Sequence, residues 1–197
     1  MDWYHGYVLH RRPWRETSLW LEVFSREAGK VALIAKGGRR HKRFAAKLQP
    51  FQPLLLQWRR KGELATLTAA EAQEPVSSLR GNALFCGFYV NELLARLLAR
   101  DDPHPGLFDA YRQVLWILAE GKDIETALRR FELTLLAEIG YAPVLDHEVK
   151  YGDTIDPDRW YRYLPEQGPV EDAEGWLQGR TLLDLRDGRL ATPQSRA

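Results

Sequence analysis

The stretch of this sequence with the most marked chemical character is a run of cations. Residues 36–47 read KGGRRHKRFAAK and contain no acid. A loop of this charge density, with two glycines near its start, is typical of a surface that binds the phosphates of a nucleic acid. Its cations would release counterions and give affinity without sequence preference, whereas the alternative is a solvated basic loop tip. The cations are Lys36, Arg39, Arg40, Lys42, Arg43 and Lys47.

Two tryptophans lie beside further cations. Trp14 lies among three arginines, and Trp58 precedes a basic run at residues 59–61. Single-stranded nucleic acids bind where bases stack on an aromatic ring while nearby cations hold the backbone. We therefore interpret Trp14 and its neighbours as part of a DNA-binding surface, with packing in the core as the alternative for either ring. The arginines around Trp14 are Arg11, Arg12 and Arg15.

The sequence contains no arrangement typical of catalysis. No two histidines have the i, i+4 spacing of a helical metal site, and there is no Gly-x-Ser-x-Gly or phosphate-binding loop. A single cysteine, Cys86, cannot form an internal disulfide or a multi-cysteine zinc site. Four residues in one segment could ligate a metal, but a solvated loop is the simpler interpretation; they are His147, Glu148, Asp153 and Asp156. We expect a protein that is not an enzyme and binds no cofactor and no metal.

The charge is divided unevenly along the chain. The net charge is +1, but residues 1–80 contain 15 Lys and Arg against 7 Asp and Glu, whereas the remainder contains 13 against 20. Such a division points to a polyanion partner for the basic part, although charge also varies by chance. No apolar run approaches the roughly 20 residues that span a bilayer, and the first residues lack a signal-peptide pattern. We expect a cytoplasmic, nucleoid-associated protein without a membrane partner.

The first 75 residues have the pattern of short β-strands. In residues 18–25, Leu19, Leu21 and Val23 share one face, and Trp20 and Phe24 share the other. Five strands at this spacing, with one long polar connection, predict a small closed barrel. The strands are expected at residues 7–9, 18–25, 31–35, 54–58 and 64–68, with a hairpin turn at 61–62.

The period changes to that of helices after Pro75. Helical spacing over residues 84–98, 107–118 and 124–139 predicts three amphipathic helices. Beyond residue 150, glycines and prolines break the pattern, although 159–164 is compatible with a strand and 181–185 with a strand or a helix. The predicted class is α+β, a five-stranded barrel followed by a helical domain with an irregular C-terminal segment. The expected division is 1–78, basic and DNA-binding, and 79–197, acidic and partner-docking.

An ordered set of segments resembles the bacterial recombination mediator family RecO. No single segment is a strong motif, but the set and its order are specific. The segments are VLHRRP at 8–13 with 16–18, AKG at 35–37, QPFQPLL at 49–55, YVNELL at 89–94, LRRFEL at 128–133 with 140–141, and 161–163, 168–169 and 179–185.

The resemblance implies an N-terminal OB-fold that binds single- and double-stranded DNA and anneals complementary strands. It also implies binding of the acidic tail of single-stranded-DNA-binding protein (SSB) and work with RecR to load RecA. Arg129, with Arg130 and Phe131 beside it, is expected to meet that tail, because guanidinium pairs bidentately with carboxylates. The alternatives are an OB-fold adaptor of another process, such as RNA binding or replication, and a metal-dependent nuclease using Asp153 and Asp156.

The sequence departs from the RecO pattern in two respects. Some relatives hold zinc through four cysteines, a site that a chain with only Cys86 cannot form. The family also normally continues into a further basic helical segment, whereas this chain stops at a polar tail over 192–197. A truncated form and a loss of the last helices are both compatible with that tail.

Overall fold

A computed structural model describes residues 2–40, 42–60, 65–73 and 78–189. The chain forms two compact units, Met1–Ile124 and Glu125–Ala197. The strands are β1 (Tyr4–Trp14), β2 (Ser18–Ser25), β3 (Gly29–Ala35), β4 (Leu54–Arg60), β5 (Ala65–Ala72), β6 (Trp160–Leu164), β7 (Gly168–Glu171) and β8 (Leu177–Gln178). The helices are α1 (Lys42–Lys47), α2 (Asn82–Leu97), α3 (Pro105–Glu120), α4 (Ile124–Glu138) and α5 (Gly179–Arg186).

The first five strands close into a barrel in the order β1-β2-β3-β5-β4, which is an OB-fold. All neighbouring strands are antiparallel except β3 and β5. The predicted α+β class and closed barrel are therefore confirmed. Leu19, Leu21 and Val23 are buried in the barrel core, on the face that alternation assigned to them. Leu64 and the turn expected at 61–62 lie outside the described residues.

The outer surface of β1 and β2 is covered at one end by α3. Tyr7 and Phe24 are paired across the two strands and are fully or almost fully buried. Their rings contact Phe108 and Tyr111 of α3, with ring centroids 5.0–6.1 Å apart. This cluster gives the barrel a second apolar layer outside its own core.

A β-bulge in β1 changes which side chains point outward. The pairing of β1 with β2 shifts between Val8 and His10, so Leu9 is an extra residue. Val8 lies in the barrel core. Simple alternation from Val8 would turn Arg12 and Trp14 inward, and the extra residue turns them outward instead.

Buried Asn91 of α2 anchors the bulge. Its side-chain amide donates to the Leu9 carbonyl at 3.0 Å, and its carbonyl accepts the Tyr111 hydroxyl at 2.6 Å. Burial raises the pKa of Tyr111 well above its ordinary value, so the hydroxyl keeps the proton that it donates. One side chain thus joins β1, α2 and α3.

Two bidentate ion pairs connect the barrel to the segments that cover it. Arg26 donates to Asp109 at 3.1 and 3.4 Å, and Arg60 pairs with Asp101. The hydrogen bond from Arg26 lowers the pKa of Asp109. Two cations of the basic part of the sequence are therefore paired with carboxylates of the acidic part within this unit.

The contact pattern places α2 and α3 with the barrel, and α4 begins the second unit. The helices follow this division because α3 has an apolar face that the barrel covers. The functional division of the chain at residue 78 stays a prediction.

The second unit contains a small sheet that the sequence only partly indicated. Strands β7, β6 and β8 form an antiparallel sheet in that order, and α5 follows it. Ile155, Tyr161 and Leu182 are its buried core. The expected strand near 159–164 is confirmed, and 181–185 is helical. No helix in the described ranges is long and apolar enough to cross a membrane.

We predict that Asn91→Ala destabilises the fold more than any exposed substitution on the same helix. Leaving a buried hydrogen-bonding group without a partner costs about 1–3 kcal/mol. Asn91→Ala leaves two such groups, on Leu9 and Tyr111, so the free energy of unfolding should fall by roughly 2–6 kcal/mol. Tyr111→Phe leaves one and should cost about half as much.

Urea unfolding of the full chain measures these losses. Asn82→Ala, an exposed change at the start of α2, is the matched control and should be nearly neutral. Equal losses for Asn82→Ala and Asn91→Ala would contradict the anchoring role.

Candidate nucleic-acid interface

The outward face of β1 and β2 beyond the bulge combines cations with aromatic rings. Arg12 pairs with Trp20 and Trp14 with Ser18, and the partners on β2 alternate with core residues. The Arg12 guanidinium lies over the Trp20 ring, 4.6 Å from its centroid, and the His10 ring lies 6.3 Å from the same ring. Arg12 is exposed, and Trp14 and Trp20 are partly exposed.

Trp20 was not among the predicted site residues. A signal was present in the pattern of β2, because Trp20 alternates with Leu19 and Leu21 and must face away from the core. The arginines around Trp14 indicated only one of the two rings. The register places the second ring, Trp20, on the same face, two residues from Ser18, the partner of Trp14.

The turn between β1 and β2 carries Arg15 next to the start of the basic run. Arg15 has a φ of 52°, in the left-handed region, and its side chain is exposed. Arg39 holds this turn: its backbone N–H donates to Thr17 at 2.9 Å, and its guanidinium donates to the Glu16 carbonyl at 3.1 Å. The two basic segments are therefore brought together, as their proposed common role requires.

Lys36 and Arg40 are exposed at either end of the turn that follows β3. Gly37 between them has a φ of 68°, a conformation that glycine adopts without strain. Because Ala35 pairs with Leu19, this turn starts beside the β1–β2 turn.

The expectation of a loop over residues 36–47 is wrong for the second half of the run. Lys42–Lys47 form helix α1, since the FAAK segment contains good helix formers. Lys47 is exposed on this helix. The backbones of Lys42 and Arg43 lie in it, and their side chains lie outside the described part of the chain.

Arg11 serves the fold rather than the outer face. Its guanidinium donates to the Ala45 carbonyl at 3.1 Å and to the Leu48 carbonyl at 3.4 Å, at the C-terminal end of α1. Leu48 is fully buried in the barrel core. Arg11 therefore fixes α1 on the barrel, which makes it a positioning residue for the other cations.

Trp58 belongs to the packing of the barrel. It packs against the core and stacks on Tyr4 with centroids 4.2 Å apart, and its neighbour Arg60 is paired with Asp101. The alternative of core packing holds for Trp58, whereas Trp14 is not a member of the core cluster.

The residues expected to dock a partner lie on α4 with different exposures. Arg129 donates to Glu132 at 2.6 Å, and Arg130 donates to the Gly188 carbonyl at 3.0 Å. Phe131 is only 2% exposed, so its ring is not available on the surface. The expectation that Phe131 meets a partner directly needs this correction, because its position on the apolar stripe of the helix buries it.

A shallow pocket of about 620 Å³ lies one turn beyond the arginines, lined by Leu133, Thr134, Ala137 and Glu138. Leu133 and Ala137 give this pocket an apolar part.

The segment considered for metal binding is held by its own backbone. Glu148 is buried, and its carboxylate accepts the N–H groups of Lys150 and Tyr151. Burial opposes ionisation, but these bonds outweigh it and lower the pKa of Glu148. His147 pairs with Asp146 at 2.7 Å. Among the residues that the structure describes, no group of three potential ligands is arranged to hold a metal.

Comparisons with known proteins give a consistent result. The family model "Recombination protein O N terminal" matches residues 1–76, and "Recombination protein O C terminal" matches residues 79–182. The DNA repair protein RecO of Methylococcus capsulatus is 53% identical over 195 residues, which cover 98% of this chain and 81% of that protein. The DNA repair protein RecO of Azoarcus sp. is 46% identical over 206 residues, covering 100% of this chain and 85% of that protein.

We predict opposite outcomes for two tryptophan substitutions in the barrel. Trp58→Ala should lower the free energy of unfolding by about 3–5 kcal/mol, because it leaves a cavity against the core. Trp14→Ala should cost much less, since its ring lies outside the core cluster. Thermal and urea unfolding of the two variants measure the difference, and a Trp14→Ala loss as large as that of Trp58→Ala would assign Trp14 to packing.

Proposed function

Because this chain belongs to the recombination protein O (RecO) family of DNA repair proteins, we propose that it is a recombination mediator without enzymatic turnover. In this proposal it binds single- and double-stranded DNA, anneals complementary strands and, together with RecR, helps to load RecA onto SSB-coated DNA. The observation that carries the DNA-binding part is the outward face where Arg12 lies over Trp20 beside Trp14.

The position of this face supports a nucleic-acid ligand. OB-folds bind oligonucleotides on the face of strands 2 and 3 and through the loop between strands 1 and 2. Here that face carries Trp20, and that loop carries Arg15. Bases stacked on the rings need no particular sequence, and the surrounding cations neutralise phosphates.

Strand annealing follows from the same charge. Two DNA strands repel each other through their phosphates, and a cationic surface that contacts both lowers this repulsion. Lys36, Arg40 and Lys47 are exposed on the segment next to the face and are available for a second strand. A protein that binds in this way remains with the DNA, which is consistent with association with the nucleoid.

The docking part of the proposal rests on α4. Arg129 is partly exposed, and its guanidinium already binds one carboxylate, that of Glu132. The acidic, carboxylate-ended SSB tail would compete for this guanidinium while an apolar residue of the tail enters the pocket at Leu133 and Ala137. Tethering to SSB-coated DNA raises the local concentration of the barrel on the strand.

We predict that Lys36→Ala/Arg40→Ala weakens DNA binding for every sequence. Each lost phosphate contact reduces the slope of log affinity against log salt by about 0.7–0.9, so two lost contacts should reduce it by roughly 1.4–1.8. Fluorescence anisotropy of a labelled single strand at several salt concentrations measures the slope.

The matched control is Arg100→Ala/Lys122→Ala, which removes the same charge from exposed positions away from this face. Its slope should equal that of the unsubstituted chain. A double variant at Lys36 and Arg40 that behaves like this control would remove these residues from the interface.

We predict that Arg129→Ala weakens binding of an SSB-tail peptide about tenfold or more, since a hydrogen bond to a charged group contributes about 1.5–3 kcal/mol. Glu132→Gln should strengthen it, because the competing carboxylate is removed. Titration of a fluorescent tail peptide measures both, and both variants should bind naked DNA normally. Unchanged tail affinity in Arg129→Ala would discard this docking site while leaving the DNA-binding proposal intact.

A further inference from the structure

The small sheet of the second unit exposes two tryptophans on one face. Tyr161 of β6 is buried in the core of this unit, so its neighbours Trp160 and Arg162 point to the opposite face. Trp160 is 47% exposed. Trp176 immediately precedes β8 and is 66% exposed.

Trp176 lies at the edge of the sheet, next to the strand pair that holds Trp160. Leu177 pairs with Tyr161 and packs into the core, and Gln178 pairs with Trp160. Trp176 directly precedes Leu177 in a bend, and its ring is exposed, as that of Trp160 is.

The turn that carries Trp176 is tightly held. A Cβ atom on Gly175 would lie 2.5 Å from the Tyr161 carbonyl carbon and oxygen, so only glycine allows this approach. The Gly175 N–H also donates to the Asp172 carbonyl at 2.8 Å. The backbone next to Trp176 is therefore held against β6, which limits the backbone ordering that a partner must bring about on binding.

The segment that carries these two tryptophans is acidic. Residues 153–178 contain seven carboxylates and two arginines, a net charge of −5. Both arginines are paired, Arg162 with Asp172 at 2.7 Å and Arg159 with Glu171 at 2.7 Å. A nucleic acid would be repelled here, whereas a cationic partner would be attracted.

We propose that the face formed by Trp160 and Trp176 binds a basic segment of a protein partner. Tryptophan is the aromatic side chain that binds cations best, so an arginine or lysine of the partner would lie on an indole ring. Carboxylates of this acidic segment, among them Glu174, pair with further cations of the partner. Exposed tryptophans are also the side chains most often responsible for binding energy at interfaces. This inference is independent of DNA binding by the barrel.

Fluorine NMR of the full chain labelled with 5-fluorotryptophan tests both surfaces at once. The chain has seven tryptophans, and each resonance is assigned by substituting that residue. A peptide of alternating arginine and glycine should shift the Trp160 and Trp176 resonances. A single-stranded oligonucleotide should shift those of Trp14 and Trp20. If one ligand causes no shift at its expected tryptophans, the titration with the other ligand still tests the other surface.

Affinity measurements with the same peptide give the second readout. Trp160→Ala/Trp176→Ala should lower its affinity about tenfold or more, since a cation–π contact contributes a factor of about 2–30. Glu174→Gln should lower it less, and a lysine–glycine peptide should bind more weakly than the arginine peptide. Trp116→Ala, at a tryptophan of α3 that is 58% exposed, is the matched control and should leave the affinity unchanged.

Three outcomes would overturn the proposal. The first is an equal loss in Trp116→Ala, which would mean that the peptide binds acidic surface without using this face. The second is a shift of the Trp160 and Trp176 resonances by the oligonucleotide. The third is a shift caused by protein concentration alone, which would assign the face to a second copy of the chain.

Discussion

The hydrogen bonds of Asn91 are the constraint on which the barrel's outer surface depends. By binding the Leu9 carbonyl, Asn91 supports the bulge in β1, and the bulge reverses the direction of every later side chain on that strand. The same amide accepts the hydroxyl of Tyr111 in the aromatic layer between barrel and helix. The packing of Tyr7 near the start of β1 and the exposure of Arg12 and Trp14 near its end therefore both depend on this buried side chain.

The strands were predictable because core residues alternate in them, and the three long helices because their apolar residues recur at helical spacing. The bulge was not, since it depends on Asn91, more than 80 residues away. For the same reason the sequence could not separate the arginines: Arg11 and Arg39 bind backbone carbonyls of other segments, whereas Arg12 and Arg40 remain on the surface. Of the small sheet only β6 was indicated, because the strands of four and two residues show too little periodicity.

Charge is organised at two levels in this chain. Arg26 and Arg60 of the barrel form bidentate ion pairs with the segments that cover it, so their charges are already paired. Exposed cations lie around the β1–β2 turn, and in the second unit the segment that carries the exposed Trp160 and Trp176 is rich in carboxylates. Aromatic rings lie near cations in the barrel and near carboxylates in the second unit. The charge next to the rings therefore favours a nucleic-acid base in the first case and a cationic side chain in the second.

The aromatic layer outside the barrel sets a limit on how the chain can be divided. A fragment ending near residue 78 would contain all five barrel strands but would leave Tyr7 and Phe24 in water, without the rings of Phe108 and Tyr111. It would also lose the carboxylates that accept from Arg26 and Arg60 and the Asn91 amide that donates to the Leu9 carbonyl. Such a fragment would be prone to aggregation, whereas one that ends after α3 keeps every one of these contacts.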